Sequence, residues 1–350
     1  MGYGVVVLLL LATHAWDPLF FATVGPEWLR HDPTGDKASD GMIFHAIAVD
    51  PLGRGSAFGA YRMERILYPL LARVLAFGVP SLLPWTLVLI NWAAIVLGTE
   101  VLNRYLSRAG APGWIALAYG AWAGLGLALL KDTAEPVTYL FAILGIWWLD
   151  RGRTVPACIA FVAALLGRET AILLIGPYLL TGTRRVGMPR WLPGIGVLAL
   201  WQVWVLAVRL WLHGSPAPQR WPRLVPLVGY LATRLLDLPF SVIYLVIPAA
   251  LILGLAIRRL LHAPRDAALW SAVLNALLVL SMPPSTAALV WHSARVSAGL
   301  AASLVLATPP QDSVTRTWRA LAVLFSTSAW WTVAVVVRYL VWEVVTIPGG

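Results

Sequence analysis

Charge is scarce in this chain: acidic and basic residues together make up 12% of its 350 residues, and only 16 are acidic. A soluble domain carries about twice that share. With 59% apolar residues and a mean hydropathy of +0.77, the chain takes lipid as its solvent, and no separate soluble domain fits within it. Cysteine is nearly absent. Cys158 stands alone in an apolar run, which excludes an internal disulfide and a zinc site built on paired cysteines. There is also no Walker loop, no G-x-G-x-x-G turn after a strand, no H-E-x-x-H and no nucleophile elbow, so nucleotide-driven transport and zinc hydrolysis lose support. Nor is there the inverted repeat of hydropathy that many secondary transporters show. The formal net charge of +10 does not point to nucleic acid, because the arginines are scattered through short loops rather than gathered in a stripe.

Long apolar runs, by contrast, fill the chain. They cover residues 4–24, 82–102, 113–130, 136–149, 154–167, 170–182, 191–212, 239–257, 267–282, 294–308 and 320–342. A crossing takes about 20 apolar residues, so the expected fold is all-α: a polytopic transmembrane helical bundle of about eleven crossings forming a single domain, 1–350. The first run also permits a cleaved signal peptide around Thr13-His14-Ala15, but it lacks a basic start and stays apolar well beyond, and is read as a retained helix. The turns NRYLSRAG, DRGR, TRRVGMPR, IRRLLHAPRD and PQDSVTRTWR carry twelve arginines against three acids, which places them and the N-terminus in the cytoplasm. Eleven acids then fall on the opposite face, although acids played no part in choosing the topology. Two stretches, 65–80 and 223–239, are expected to lie along the outer surface as amphipathic helices, the first with Arg65 and Arg73 on its polar face.

The acids concentrate in the first external loop, residues 25–81, where Glu27, Asp32, Asp36, Asp40, Asp50 and Glu64 lie within 38 positions. Asp36 and Asp40 are four apart, on one face if helical, and Gly35 and Gly41 flank them. Arg62 and Arg65 add two guanidinium forks suited to phosphate, or to anchoring an interfacial helix among head groups. Lys131, Asp132 and Glu135 form the next outward turn, Arg168 and Glu169 the one after, and His292 with Arg295 a later one. The crossings around Arg168 and Glu169 are short, so this pair sits at membrane depth and must be compensated, each by the other or in a wet cavity. A solvated acidic loop and ordinary pairing between turns would explain each group singly. Convergence of four external turns on one polar cavity explains them together.

The stretches DGMIFHAIAVDP, AYRMERILYPLLA, KDTAEP and LLGRETAILL resemble the GT-C superfamily of polytopic membrane glycosyltransferases, best over residues 1–180, with the WHSARV turn beyond. That resemblance implies a plasma-membrane enzyme of bacterial type with its site on the external face. It implies transfer of a sugar from a polyprenyl-phosphate donor to a glycan, lipid or protein acceptor hydroxyl by one inverting displacement. The family's loop carboxylate lands on Asp40, with Asp36 second; Arg62, Arg65, Lys131, Glu135, Arg168, Glu169, His292 and Arg295 are the expected substrate-binding residues. The acids sit four apart rather than as a contiguous D-x-D or E-x-D pair, so a divalent cation stays open and no other cofactor is required. A transporter or lipid flippase, or a noncatalytic membrane subunit, are the competing readings.

Overall fold

A computed structural model describes residues 2–23, 40–53, 60–181, 192–212, 225–308 and 315–346. Every regular element among them is helical and none is a strand. This is the solution lipid favours, because a helix satisfies its backbone hydrogen bonds within its own segment.

Four stretches are long and apolar enough to cross a membrane by length and composition: Pro80–Arg108, Leu192–Trp211, Leu238–Leu260 and Arg316–Val337. They match four of the eleven expected runs; of the other seven, three are broken and four form helices near the expected bounds but shorter than a full crossing. The first run breaks after Gly2–Thr13, where Ala15 and Trp16 take positive φ ahead of Asp17-Pro18, and resumes as Leu19–Thr23. Run 113–130 divides into Gly113–Ala116, Leu117–Gly120 and Ala123–Leu129, with Trp122 extended between the last two. Run 294–308 breaks at Ser297, between Val290–Val296 and Ala298–Leu306. Thr154–Gly167 and Ala267–Leu280 have 14 residues each, roughly 21 Å against a hydrocarbon layer of about 30 Å.

The two expected surface helices also differ. Residues Leu67–Leu75 do form an amphipathic helix, with Leu70, Val74 and Leu75 exposed and Arg73 donating to the Ala48 and Val49 carbonyls. Arg65 is not on its polar face, however. It precedes the helix and is buried. Within 223–239, the described part is a 3-10 turn, Val228–Ala232, followed by bends, because Pro226, a positive φ at Leu227 and an extended Thr233 interrupt any longer helix. It is tied instead to the 280–288 segment through Leu227 N to Leu280 O at 2.8 Å and Thr233 Oγ1 to Ala287 O at 3.0 Å.

The core gathers Glu135–Asp150 against Thr154–Gly167 and Leu83–Arg108, and Ala267–Leu280 against Ile247–Leu260 and Ile172–Thr181. Trp122, fully buried, pins the Val290–Val296 helix by donating from Nε1 to the Ala294 carbonyl at 3.0 Å, and its ring stacks on Phe325. Gly124 makes this possible, since a methyl there would collide with the same carbonyl.

Candidate functional site

The helix Asp40–Val49 opens on its own acid, in the first turn where the helix dipole favours negative charge. Gly41 follows because the Lys131 carbonyl packs against its α-carbon and would collide with any side chain. This contact sets Asp40 beside the turn at 131–135. In that turn Asp132 takes φ +47°, a conformation ordinary side chains avoid but Asp tolerates. The turn then enters Glu135–Asp150, with Pro136 in the first helical positions.

Four chain segments reach the same place. Asp40 Oδ1 accepts from Arg62, and Asp40 Oδ2 accepts from Arg295 Nη2 at 3.0 Å. Arg295 Nε also lies 3.7 Å from Glu135 Oε1, and that same oxygen accepts from Arg168. Beside this string runs a second one. Arg65 donates to both oxygens of Glu169, at 3.0 and 2.6 Å, and Tyr61 donates to Glu169 Oε1 at 3.2 Å while meeting Arg65. The strings adjoin through the neighbours Tyr61-Arg62 and Arg168-Glu169. The cluster grades from dry to wet: Glu135 is 1% exposed, Lys131 4%, Arg295 5% and Arg65 6%, whereas the side chains of Asp40, Arg62 and Glu169 are partly exposed.

Arg168 and Glu169 therefore pair directly with other elements rather than with each other. Arg168 is extended, φ −164° and ψ 132°, where the chain leaves one helix and turns into the next, so the two side chains diverge and each finds a partner on another element. Lys131 lies 5.4 Å from the centre of the Trp291 ring. His292 approaches the Ser285 backbone rather than a carboxylate. Asp36, the second candidate base, lies outside the described residues.

Electrostatics follow from the burial. Desolvation alone would raise Asp40, but Arg295, Arg62 and Arg65 outweigh it and hold its carboxyl well below the usual range. Burial likewise acts against the charge of Glu169, yet Arg65 and Arg168 bring it down to about 2. Burial lowers Lys131 to about 7, with Arg295 adding repulsion and Asp40 offsetting part of it. Burial also holds His292 at about 4. Burial raises Asp132 well above the usual carboxylate range, and its hydrogen bond with Tyr68 offsets only part of that. Four guanidinium groups, Arg62, Arg65, Arg168 and Arg295, thus face three carboxylates, Asp40, Glu135 and Glu169, with Lys131 beside them.

No protein-family model, curated protein or solved structure matches this chain. The site is read from its own geometry. Among the described residues no group of three or more His, Cys, Asp or Glu is placed to hold a metal ion, and the three ionised carboxylates face guanidinium groups rather than one another. A divalent cation therefore has no ready ligand set in this cluster.

Several neighbours carried no sequence signal beyond being polar. Tyr68 accepts from Asn91 Nδ2 at 2.8 Å and reaches Asp132 Oδ1 at 3.4 Å, and Asn91 also donates to the Thr133 carbonyl at 3.0 Å. That network fixes the Lys131 to Glu135 turn from below. Glu64 accepts from Arg209 Nε at 2.7 Å, and its carbonyl accepts from Trp204 Nε1 at 3.1 Å, which braces the short Ala60–Met63 helix against Leu192–Trp211.

Proposed function

We propose that this chain is a membrane glycosyltransferase of GT-C type that transfers a sugar from a polyprenyl-phosphate donor to an acceptor hydroxyl. In this reading it is a bacterial plasma-membrane protein with a cytoplasmic N-terminus, and the short and broken helices complete about eleven crossings around a site that opens outward. The observation that carries the reading is the clasped carboxylate: Asp40, in the first external loop, held between Arg62 and Arg295 within a cluster where guanidinium groups outnumber their carboxylate partners four to three.

A surplus of buried guanidinium charge suits an anionic ligand, and forked Arg donors match phosphate oxygens two at a time. The donor phosphate competes with Asp40 for Arg62, which is about a third exposed and therefore free to move, whereas Arg295 is buried. Drawing Arg62 away uncovers Asp40 Oδ1. That oxygen accepts the proton of the acceptor hydroxyl as the hydroxyl oxygen attacks the anomeric carbon. The bond from this carbon to the phosphate oxygen breaks, and its electron pair leaves with the polyprenyl phosphate. Arg62, Arg65 and Arg168 stabilise the charge growing there. General-base assistance of this kind contributes about 10² to 10⁴ in rate.

The bonding of both Asp40 oxygens favours one rival, a noncatalytic subunit in which the acid is only a structural lock. Purified protein in detergent, given polyprenyl-phosphate sugars and an acceptor panel, separates the two. Asp40→Asn is expected to abolish transfer while the protein stays folded. Full transfer by Asp40→Asn, and also by Asp36→Asn, rejects the base; unfolding of Asp40→Asn without any transfer by the wild type supports the lock.

A further inference from the structure

A second group of arginines gathers at the opposite end of the two helices that reach the ion cluster. Glu135–Asp150 leaves the cluster at Glu135, and Thr154–Gly167 returns to it just before Arg168. The turn that joins them, residues 150–153, is one of those whose charge marks the cytoplasmic side. It meets the end of Leu83–Arg108 through an ion pair from Arg108 to Asp150 at 3.7 Å. Trp147 is buried under this junction: the Arg151 guanidinium lies 3.3 Å from the centre of its ring and that of Arg108 lies 5.9 Å.

The charges here do not balance. Glu100 is engaged by Arg104 at 2.7 Å and Asp150 by Arg108, whereas Arg151 and Arg153 are exposed and have no ion pair among the described residues. Desolvation first, and then the repulsion of Arg108, Arg153 and Arg104, pulls Arg151 below the ordinary arginine range, with Asp150 offsetting part of it. Four guanidinium groups are thus crowded against two acids. Trp147 occupies one side of the Arg151 fork and leaves its N–H donors without an acceptor among the described residues, which suits the paired oxygens of a phosphate.

Depth and surroundings narrow the anion. The two helices, of 16 and 14 residues, measure roughly 24 and 21 Å, short of a hydrocarbon layer of about 30 Å, so their joining turn is drawn to head-group depth rather than standing in bulk water. From that turn Val155 and Ile159, one helical turn apart and 71% and 66% exposed, form an apolar track leading into the lipid. A soluble phosphate uses the charge but not the track. A zwitterionic phospholipid uses the track but brings a cation of its own. We propose that this turn binds the phosphodiester head of an anionic phospholipid, such as phosphatidylglycerol, with an acyl chain along Val155 and Ile159. The site does not depend on the glycosyltransferase reading.

The test is native mass spectrometry of the full chain released from detergent and titrated with palmitoyl-oleoyl phosphatidylglycerol or phosphatidylcholine. The wild type is expected to hold phosphatidylglycerol roughly tenfold more tightly, the scale that two arginines supply beside an anionic lipid. Arg151→Gln with Arg153→Gln should remove most of that preference, and if this variant does not fold, Arg153→Gln alone carries the comparison. Arg258→Gln with Arg265→Gln takes the same charge from another exposed turn and should leave the preference intact. Equal binding of the two lipids overturns the proposal. So does a preference that survives substitution at Arg151 and Arg153, or one that falls equally with Arg258 and Arg265, because net charge then explains it. Inorganic phosphate that displaces the lipid as readily as added phosphatidylglycerol makes this a site for a soluble anion and overturns it too.

Discussion

Glu135→Gln tests whether the charge cluster is as dry and as interlocked as its geometry says. Glu135 is 1% exposed, and its Oε1 is shared by Arg168 and Arg295. Removing its charge leaves Arg168 without a carboxylate partner and Arg295 with Asp40 alone. At 3.7 Å and an effective dielectric constant of about 20, the gross attraction to Arg295 is about 4.5 kcal/mol. Breaking a buried pair by removing one partner costs about 3–5 kcal/mol. Glutamine keeps a carbonyl acceptor in place, so the expected loss is near the lower end, about 3 kcal/mol. The assay is reversible unfolding in mixed micelles, followed by the fluorescence of the 19 tryptophans. Arg168→Gln on top of Glu135→Gln should recover at least half of the loss, because neutralising both partners removes the orphaned charge. A loss below about 1 kcal/mol, the range of exposed pairs, would refute the reasoning. So would a loss that shrinks severalfold between low and high salt, since buried pairs are weakly screened.

Asp132→Asn provides the contrast, because burial acts against that carboxyl's charge and asparagine accepts the positive φ: stability in the same assay should change by less than about 1 kcal/mol, and a loss above about 2 kcal/mol would refute that contrast. Gly41→Ala drives a methyl into the Lys131 carbonyl and should cost about 1–3 kcal/mol, with sugar transfer falling as Asp40 moves; wild-type stability and transfer would mean that the 131–135 turn is not seated on this helix. Lys131 has a folded pKa of about 7 against an ordinary 10.5, so between those values the unfolded chain binds a proton that the folded chain lacks, and stability should rise as pH increases from 7 to 9. Lys131→Met should flatten that slope, and an unchanged slope in Lys131→Met assigns it to another group.

Convergence of the charged turns was legible in the sequence because charge is so rare here: ions at membrane depth have few partners to choose from, and those partners sit on turns that topology puts at one face. Individual pairings were not legible. Arg168 and Glu169 were open to pairing with each other or facing a wet cavity, and one extended residue at the helix boundary sends them to different elements; nothing in the letters RET states that backbone angle. Arg65 looked like a snorkelling residue because an amphipathic pattern can be started at residue 65; the helix starts at Leu67, and two residues turn a surface position into a buried one. The broken runs had the same cause. Hydropathy measures apolar length, whereas Ala15, Trp16, Trp122 and Ser297 change the path of the backbone without lowering it enough to register.

What the sequence made of Asp40, the candidate base of an acidic loop, is the part that geometry changes most. An acid whose two oxygens are each taken by an arginine is a weak base until one arginine leaves. Arg295 is buried and shared with Glu135, so its departure would strand a second carboxylate. Arg62 is partly exposed on a helix of four residues and, among the described carboxylates, pairs with Asp40 alone, so its departure strands no other described acid. The asymmetry gives the proposed reaction an order: donor phosphate first, drawing Arg62 across, and acceptor second, meeting a carboxylate that has just become basic. In steady-state kinetics this predicts that the acceptor alone does not bind productively, and that Arg62→Ala, which frees Asp40 permanently, weakens donor binding while relaxing the order. Random-order kinetics in the wild type would remove the reason for treating Arg62 as the mobile partner.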